Sequence, residues 1–202
     1  FVLENSKVLG LGELRAAALK SRRPFDYDVP VEGLQALDRY TVRMRLAEPN
    51  PRMIYNFADA SLFGAVAQME GNADFAGLYW PRLEQWAAYL KDKGFDPENQ
   101  LCTDDFAGHL AHNVNLSAKA ICGLGAFAKL CAARGDNAKA GEYLKLAREF
   151  AVRWVKEADD GDKFRLAFDR PGTWSQKYNL IWDRILGLDL FPAEVMRKEM
   201  DF

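Results

Sequence analysis

The stretch Val114-Asn115-Leu116-Ser117-Ala118-Lys119-Ala120-Ile121-Cys122-Gly123-Leu124-Gly125-Ala126-Phe127-Ala128-Lys129-Leu130-Cys131-Ala132-Ala133-Arg134 decides the fold class. Leu116, Ala120, Ile121, Leu124, Phe127, Ala128 and Cys131 recur at helical spacing, which predicts one long helix with a broad apolar face. Gly135 caps it. Gly123 and Gly125 form a lone G-x-G. A phosphate-binding loop needs a strand before it and a helix after it, and neither fits, so the glycines read as sites of close helix–helix packing. Cys122 and Cys131 read as small core hydrophobes.

Downstream, Asp136 or Asn137 starts a second helix with a stripe of Ala140, Tyr143, Leu144, Ala147, Phe150, Ala151, Trp154 and Ala158. Asp159-Asp160-Gly161-Asp162 ends it. That cluster lacks EF-hand spacing and its terminal Glu, so it reads as a solvated turn. Phe164–Phe168 alternates like a short strand. Thr173-Trp174-Ser175 opens a helix through about Leu186, with Gln176, Asn179 and Asp183 on one polar side beside Trp174, Tyr178 and Trp182. Ala193–Met200 reads as a last helix. Upstream, Asn72 caps a helix carrying Ala76, Tyr79, Trp80, Leu83, Trp86, Ala87 and Leu90. Pro81 should kink or divide it, and Gly94 supplies a left-handed C-cap. Long antiparallel helices joined by short loops predict stacked helical hairpins.

The first third has another texture. A weak helix is predicted around Glu13–Lys20, and Arg52–Ala58 suits a further one. Tyr40, Val42, Met44 and Leu46 alternate with Thr41, Arg43 and Arg45, which predicts a half-buried strand. It pairs with Val31–Asp38 through a turn at Asp38-Arg39. The predicted class is therefore mainly α: a small α+β segment with a β-hairpin over residues 1–66, then a helical domain over 67–202.

With a net charge of -2, no bulk electrostatic argument favours nucleic acid or an anionic membrane. No run reads as a membrane span of roughly 20 apolar residues. Three cysteines without a CxxC exclude a disulfide framework and leave room for one bridge at most. The chain opens at Phe1, which predicts a processed or truncated N-terminus.

Chemistry-bearing residues concentrate in Leu101-Cys102-Thr103-Asp104-Asp105-Phe106-Ala107-Gly108-His109-Leu110-Ala111-His112-Asn113. Asp104 and Asp105 read either as turn and cap residues or as a base and its brace. A desolvated carboxylate facing a cleft would serve as general base. His109 and His112 share a face at i, i+3. H-x-x-H alone is too little for zinc, so neither a metal nor another cofactor is expected. Cys102 beside a histidine would be a nucleophile pair that nothing else supports. Asn115-Leu116-Ser117 fits a glycosylation sequon but falls in a predicted helix.

Two resemblances follow from longer blocks. Gly33-Leu34-Gln35-Ala36-Leu37-Asp38-Arg39-Tyr40-Thr41-Val42-Arg43-Met44-Arg45-Leu46, with Glu48-Pro49-Asn50-Pro51-Arg52, resembles an internal scaffold segment of the extracellular solute-binding proteins of peptide ABC transporters, over about Gly12 to Val66. From about Met69 to Phe202 the chain resembles the central domain of the glutaminase A family. The blocks are Glu70–Asp74, Gly94–His109, Asn113–Ser117, Ala158–Asp162 and Pro171–Asn179. This second resemblance implies a secreted or periplasmic protein, part of an (α/α)-toroid, and hydrolysis of glutamine to glutamate and ammonia. It raises Asp104 as candidate base with Asp105 beside it. His109, His112, Asn113, Asn115, Gln176, Asn179 and Asp183 become candidate substrate-binding groups, with Trp174 and Trp182 as walls. The expected partner is a small amino acid or amide. A full toroid holds more hairpins than this chain, which predicts exposed apolar faces and self-association. A non-catalytic remnant, or a binding or scaffold protein related to the solute-binding proteins, are the alternatives.

Overall fold

The computed structural model describes residues 8–21, 28–38, 42–47, 60–98 and 110–202. The chain divides into two compact units, Phe1–Phe57 and Ala58–Phe202.

In the first unit, helix α1 (Leu11–Ser21) accompanies an antiparallel pair, β1 (Leu34–Ala36) and β2 (Val42–Met44). Leu34 pairs with Met44 and Ala36 with Val42, so the expected hairpin forms. The turn expected at Asp38-Arg39 lies partly outside the described residues. The expected half-buried face stays open: Val42 is 57% and Met44 39% exposed. Leu46 instead packs with Val31 against the small cluster of Val8 and Leu11. Gly33 is required here, because a Cβ on it would lie 2.4 Å from the Leu9 nitrogen. The helix expected at Arg52–Ala58 lies outside the described residues.

The second unit is built on α5. Helix α2 (Ala60–Glu70) leads, followed by α3 (Asp74–Leu78) and α4 (Trp80–Lys93), then α5 (Val114–Ala133) and α6 (Asn137–Ala158). A 3-10 turn (Tyr178–Leu180), α7 (Ile181–Ile185) and α8 (Ala193–Asp201) complete it. The protein is thus mainly helical with one small two-stranded sheet among the described residues. Helix α2 is continuous across residues 66 and 67, where the two sequence resemblances change over.

Helix α5 is buried along nearly its whole length, with Val114, Ala118, Ile121, Cys122, Leu124 and Ala126 in the main core. Each fully buried Leu or Ile contributes roughly 1.5–3 kcal/mol. Among the described residues it is the helix long and apolar enough to cross a membrane, a property the sequence reading did not credit to it. Its burial inside the domain accounts for that composition. Gly123 and Gly125 act as expected. A Cβ at Gly123 would lie 3.1 Å from Leu90, and one at Gly125 3.0 Å from both Leu188 and Leu190.

Three local expectations need correction. Gly94 is not left-handed: its φ is -77°, and a Cβ there would lie 2.8 Å from the Ala120 Cβ, so α4–α5 contact selects the glycine. Asn72 is not the N-cap of α3. That position is Ala73, while the Asn72 Oδ1 accepts from the Asp74 N–H at 2.9 Å. Pro81 does divide the predicted helix, sitting in the first turn of α4 after α3 has ended. The largest difference is at 173–186, where no single helix forms and residues 173–177 are irregular. Lys177 is buried there, its Nζ donating to the backbone oxygens of Phe164 (2.9 Å) and Ser175. That anchoring holds the backbone open until Tyr178.

Candidate functional site

The site is assembled where α5 begins. Asn113 is the N-cap, extended at φ -67°, and its Oδ1 accepts from the Leu116 N–H at 2.8 Å. His112 before it has φ +62°, a left-handed conformation uncommon for a side chain of this size. Its backbone is held on both sides. The His112 N–H donates to the Pro97 carbonyl at 2.7 Å, and its carbonyl accepts from the Phe168 N–H at 2.9 Å. Val114 N–H then donates to the Leu166 carbonyl at 3.0 Å. The predicted strand at 164–168 is therefore a bridge onto the N-terminus of α5, with Asn113 opposite Ala167.

The His112 Nδ1 lies 2.8 Å from Asp96 Oδ1, with about a third of the His112 side chain and nearly half of that of Asp96 open to solvent. The hydrogen bond to Asp96 raises the imidazole pKa above its ordinary value. Partial burial opposes the rise, and the charges of Asp96, Asp169 and Glu98 add to it. Phe95, next to Asp96 in the chain, stacks on Phe168 with centroids 5.3 Å apart and meets Phe150 edge-on. The Arg153 guanidinium covers the Phe95 ring at 3.9 Å. The arrangement is a partly exposed histidine–carboxylate hydrogen bond in which Asp96 favours the protonated imidazole.

The other sequence-predicted residues fall in several places. Asp104, Asp105 and His109 lie outside the described residues, as does Cys102. Asn115 and Asn179 are brought together: the Asn179 N–H donates to Asn115 Oδ1 at 3.2 Å, and Asn179 Nδ2 donates to the Asn115 carbonyl at 3.3 Å. Both are buried, which also closes the Asn115 sequon to glycosylation in the folded chain. Asp183 is 3% exposed, and its carboxylate accepts from the N–H groups of Leu190 (2.9 Å) and Phe191 (3.3 Å). Asn113, Asn115, Asn179 and Asp183 therefore brace the backbone rather than face an open cleft. Trp182 is half-buried against the main core. Trp174 and Gln176 are exposed, with Trp174 5.5 Å from the ring of Phe202. Because 173–186 is not one helix, Gln176, Asn179 and Asp183 do not share a face.

Several residues escaped the sequence reading. Asp96, not singled out in the sequence, is the partner of His112. Lys177 has a fully buried side chain with Nζ 3.5 Å from Glu199 Oε1, and burial raises the Glu199 pKa while Lys177 opposes the rise. Asp160, read as solvated, accepts from the Gly172 N–H at 2.7 Å and pairs with Arg165 at 3.4 Å. The sequence signal for these was slight: Lys177 stands near Trp174, Tyr178 and Leu180 but also beside Ser175, Gln176 and Asn179. Among the described residues no three His, Cys, Asp or Glu side chains are grouped to hold a metal. Among the described residues, one open groove of about 670 Å³ lies beside Gln68, Asn72 and Lys129, and another of about 590 Å³ beside Arg197 and Phe202. Neither is lined by the predicted site residues.

Comparison with known proteins places this helical unit. The profile of the glutaminase A six helical-hairpin domain matches residues 60–202. Glutaminase A of Aspergillus oryzae (strain ATCC 42149 / RIB 40) is 33% identical over 142 residues, covering 68% of this chain and 21% of that protein. A probable glutaminase of Arthroderma benhamiae (strain ATCC MYA-4681 / CBS 112371) is 28% identical over 167 residues, covering 76% of this chain and 19% of its own length. The chain thus spans about a fifth of the length of the curated relatives it matches.

Proposed function

We propose, from the premise that the chain belongs to the glutaminase A family through its helical-hairpin domain, that it contributes to hydrolysis of glutamine to glutamate and ammonia. The observation that carries this reading is the convergence of polar groups at the N-terminus of α5, inside the matched residues. Amide hydrolysis needs an activated water, an acid for the leaving nitrogen and a donor for the developing oxyanion. Asp104 is the candidate base, and Asp105 and His109 are candidate supporting groups, as the family resemblance implies. His112, whose protonated form Asp96 favours, is suited to a carbonyl or carboxylate oxygen of the substrate. Asn113, Asn115 and Asn179 support this end of the helix from within. Trp174 and Gln176 are exposed groups for contact with an amino acid or amide.

The test is ammonia release from glutamine by the folded chain, compared with Asp104→Ala and with asparagine as the second substrate. Release that falls on the order of 100-fold or more in Asp104→Ala supports the reading. A folded wild-type chain that releases no ammonia refutes it in favour of a non-catalytic hairpin domain.

A further inference from the structure

Resting on that reading, we propose that Asp96 is the positioning residue of a dyad in which His112 delivers the proton to the leaving nitrogen of the amide. The geometry is specific. Asp96 takes the hydrogen bond from Nδ1 at 2.8 Å, which fixes the ring orientation and leaves Nε2 as the nitrogen able to meet a substrate. The His112 backbone is over-determined: a left-handed φ of +62° is held by Pro97 on one side and Phe168 on the other. A conformation that costs of order 1–3 kcal/mol persists when its surroundings impose it, and such positions cluster at functional sites. The ring is partly open to solvent, whereas the polar side chains that brace α5 from inside are buried.

The step balances with water as co-reactant. The base takes a proton from water as the oxygen bonds to the amide carbon. The carbon–nitrogen bond then breaks, and the nitrogen leaves as ammonia with the proton from His112 Nε2. The imidazole is left neutral with its remaining proton on Nδ1, still donated to Asp96; the base then releases its proton to solvent, and His112 Nε2 takes one back from solvent. The charged groups facing the ring are Asp96 and Glu98 from the segment after α4, and Asp169 from the segment after the Phe164–Phe168 bridge. On α6, Arg153 covers the Phe95 ring and is itself paired with Glu157 at 2.7 Å. Asp96 is the one that touches His112, so its removal should act on the ring most strongly.

The experiment follows the His112 imidazole by NMR titration in the full chain, with His109→Gln assigning the two histidines, alongside the pH profile of kcat/KM for ammonia release. Asp96→Asn is expected to lower the His112 midpoint toward the ordinary histidine range and to move the alkaline limb of kcat/KM down with it. Asp96→Glu should restore both in part. His112→Asn, which tolerates the left-handed backbone, should lose on the order of 100-fold in kcat/KM while remaining folded. A His112 midpoint unmoved by Asp96→Asn overturns the proposal. So does a midpoint that moves while the alkaline limb stays in place, since that leaves Asp96 a purely structural partner. If wild type releases no ammonia, the glutaminase reading fails and the proton-delivery role with it. The titration then decides Asp96 separately: a lowered midpoint upholds it as the residue that positions His112, and an unmoved one overturns that also.

Discussion

Replacing Asp183 by Ala should unfold the second unit far more readily while telling little about substrate. The carboxylate is 3% exposed and accepts from two buried N–H groups, Leu190 at 2.9 Å and Phe191 at 3.3 Å. It thereby closes the turn after α7, in which Gly187 and Asp189 both have positive φ and Leu188 N–H returns to the Asp183 carbonyl at 3.0 Å. Leu188, Leu190 and Phe191 all sit in the main core, so the orphaned donors would have no water to turn to. A hydrogen bond to a charged acceptor is worth about 1.5–3 kcal/mol, and the two are coupled, which gives roughly 3–5 kcal/mol for Asp183→Ala. Asp183→Asn keeps one oxygen acceptor and should lose about half of that. At about 2–4 °C per kcal/mol for a domain of this size, the alanine variant should melt about 10 °C lower. Urea unfolding followed by tryptophan fluorescence and by far-ultraviolet circular dichroism measures the change. A loss under about 0.5 kcal/mol for Asp183→Ala, typical of an exposed surface site, would refute the bracing role.

Gly94→Ala places a Cβ 2.5 Å from the Leu90 carbonyl oxygen and 2.8 Å from the Ala120 Cβ, and should cost about 1–3 kcal/mol through overpacking, read as a lower urea midpoint. In a Cys102→Ser chain, Cys122 and Cys131 should resist a thiol reagent at pH 8 until urea unfolds the protein. Both are buried, and burial pushes the Cys131 thiol up to about 11. Glu199 has its pKa raised by burial, so the folded state binds its proton more readily than the unfolded chain. Stability from this group should therefore rise as pH falls through the folded value toward the unfolded one near 4.5, a slope that Glu199→Gln abolishes. Urea midpoints at several pH values between 7 and 4.5 measure it, and equal slopes for the two proteins would contradict the assignment.

Periodicity made the hairpin of α5 and α6 legible, because a stripe repeating every three or four residues has one cheap solution. The same signal failed at 173–186. The apparent polar side of Gln176, Asn179 and Asp183 fits a helix on paper, but a buried Lys177 bonded to Phe164 and Ser175 carbonyls opens the backbone before Tyr178. Tertiary partners of that kind leave no periodic trace. Gly94 was legible as a helix end, and its reason was not, since approach to Ala120 is a contact across 26 residues of sequence. The site shows the same division. The clustering of polar groups near His112 follows from local spacing, whereas the N-cap role of Asn113 and the Asp96–His112 pair emerge only with the fold, the pair depending on Pro97 and Phe168 bringing distant backbone together. A sheet face expected to be covered stays open at Val42 and Met44, because alternation states which residues share a face and not what lies against it.

We propose that this helical-hairpin chain contributes to glutamine hydrolysis at the N-terminus of α5. An enzyme-coupled ammonia assay on the purified, folded chain with glutamine, beside Asp104→Ala and His112→Asn, tests this. Steady ammonia release by wild type and a loss on the order of 100-fold in each variant are expected. Equal release by all three folded proteins would contradict it.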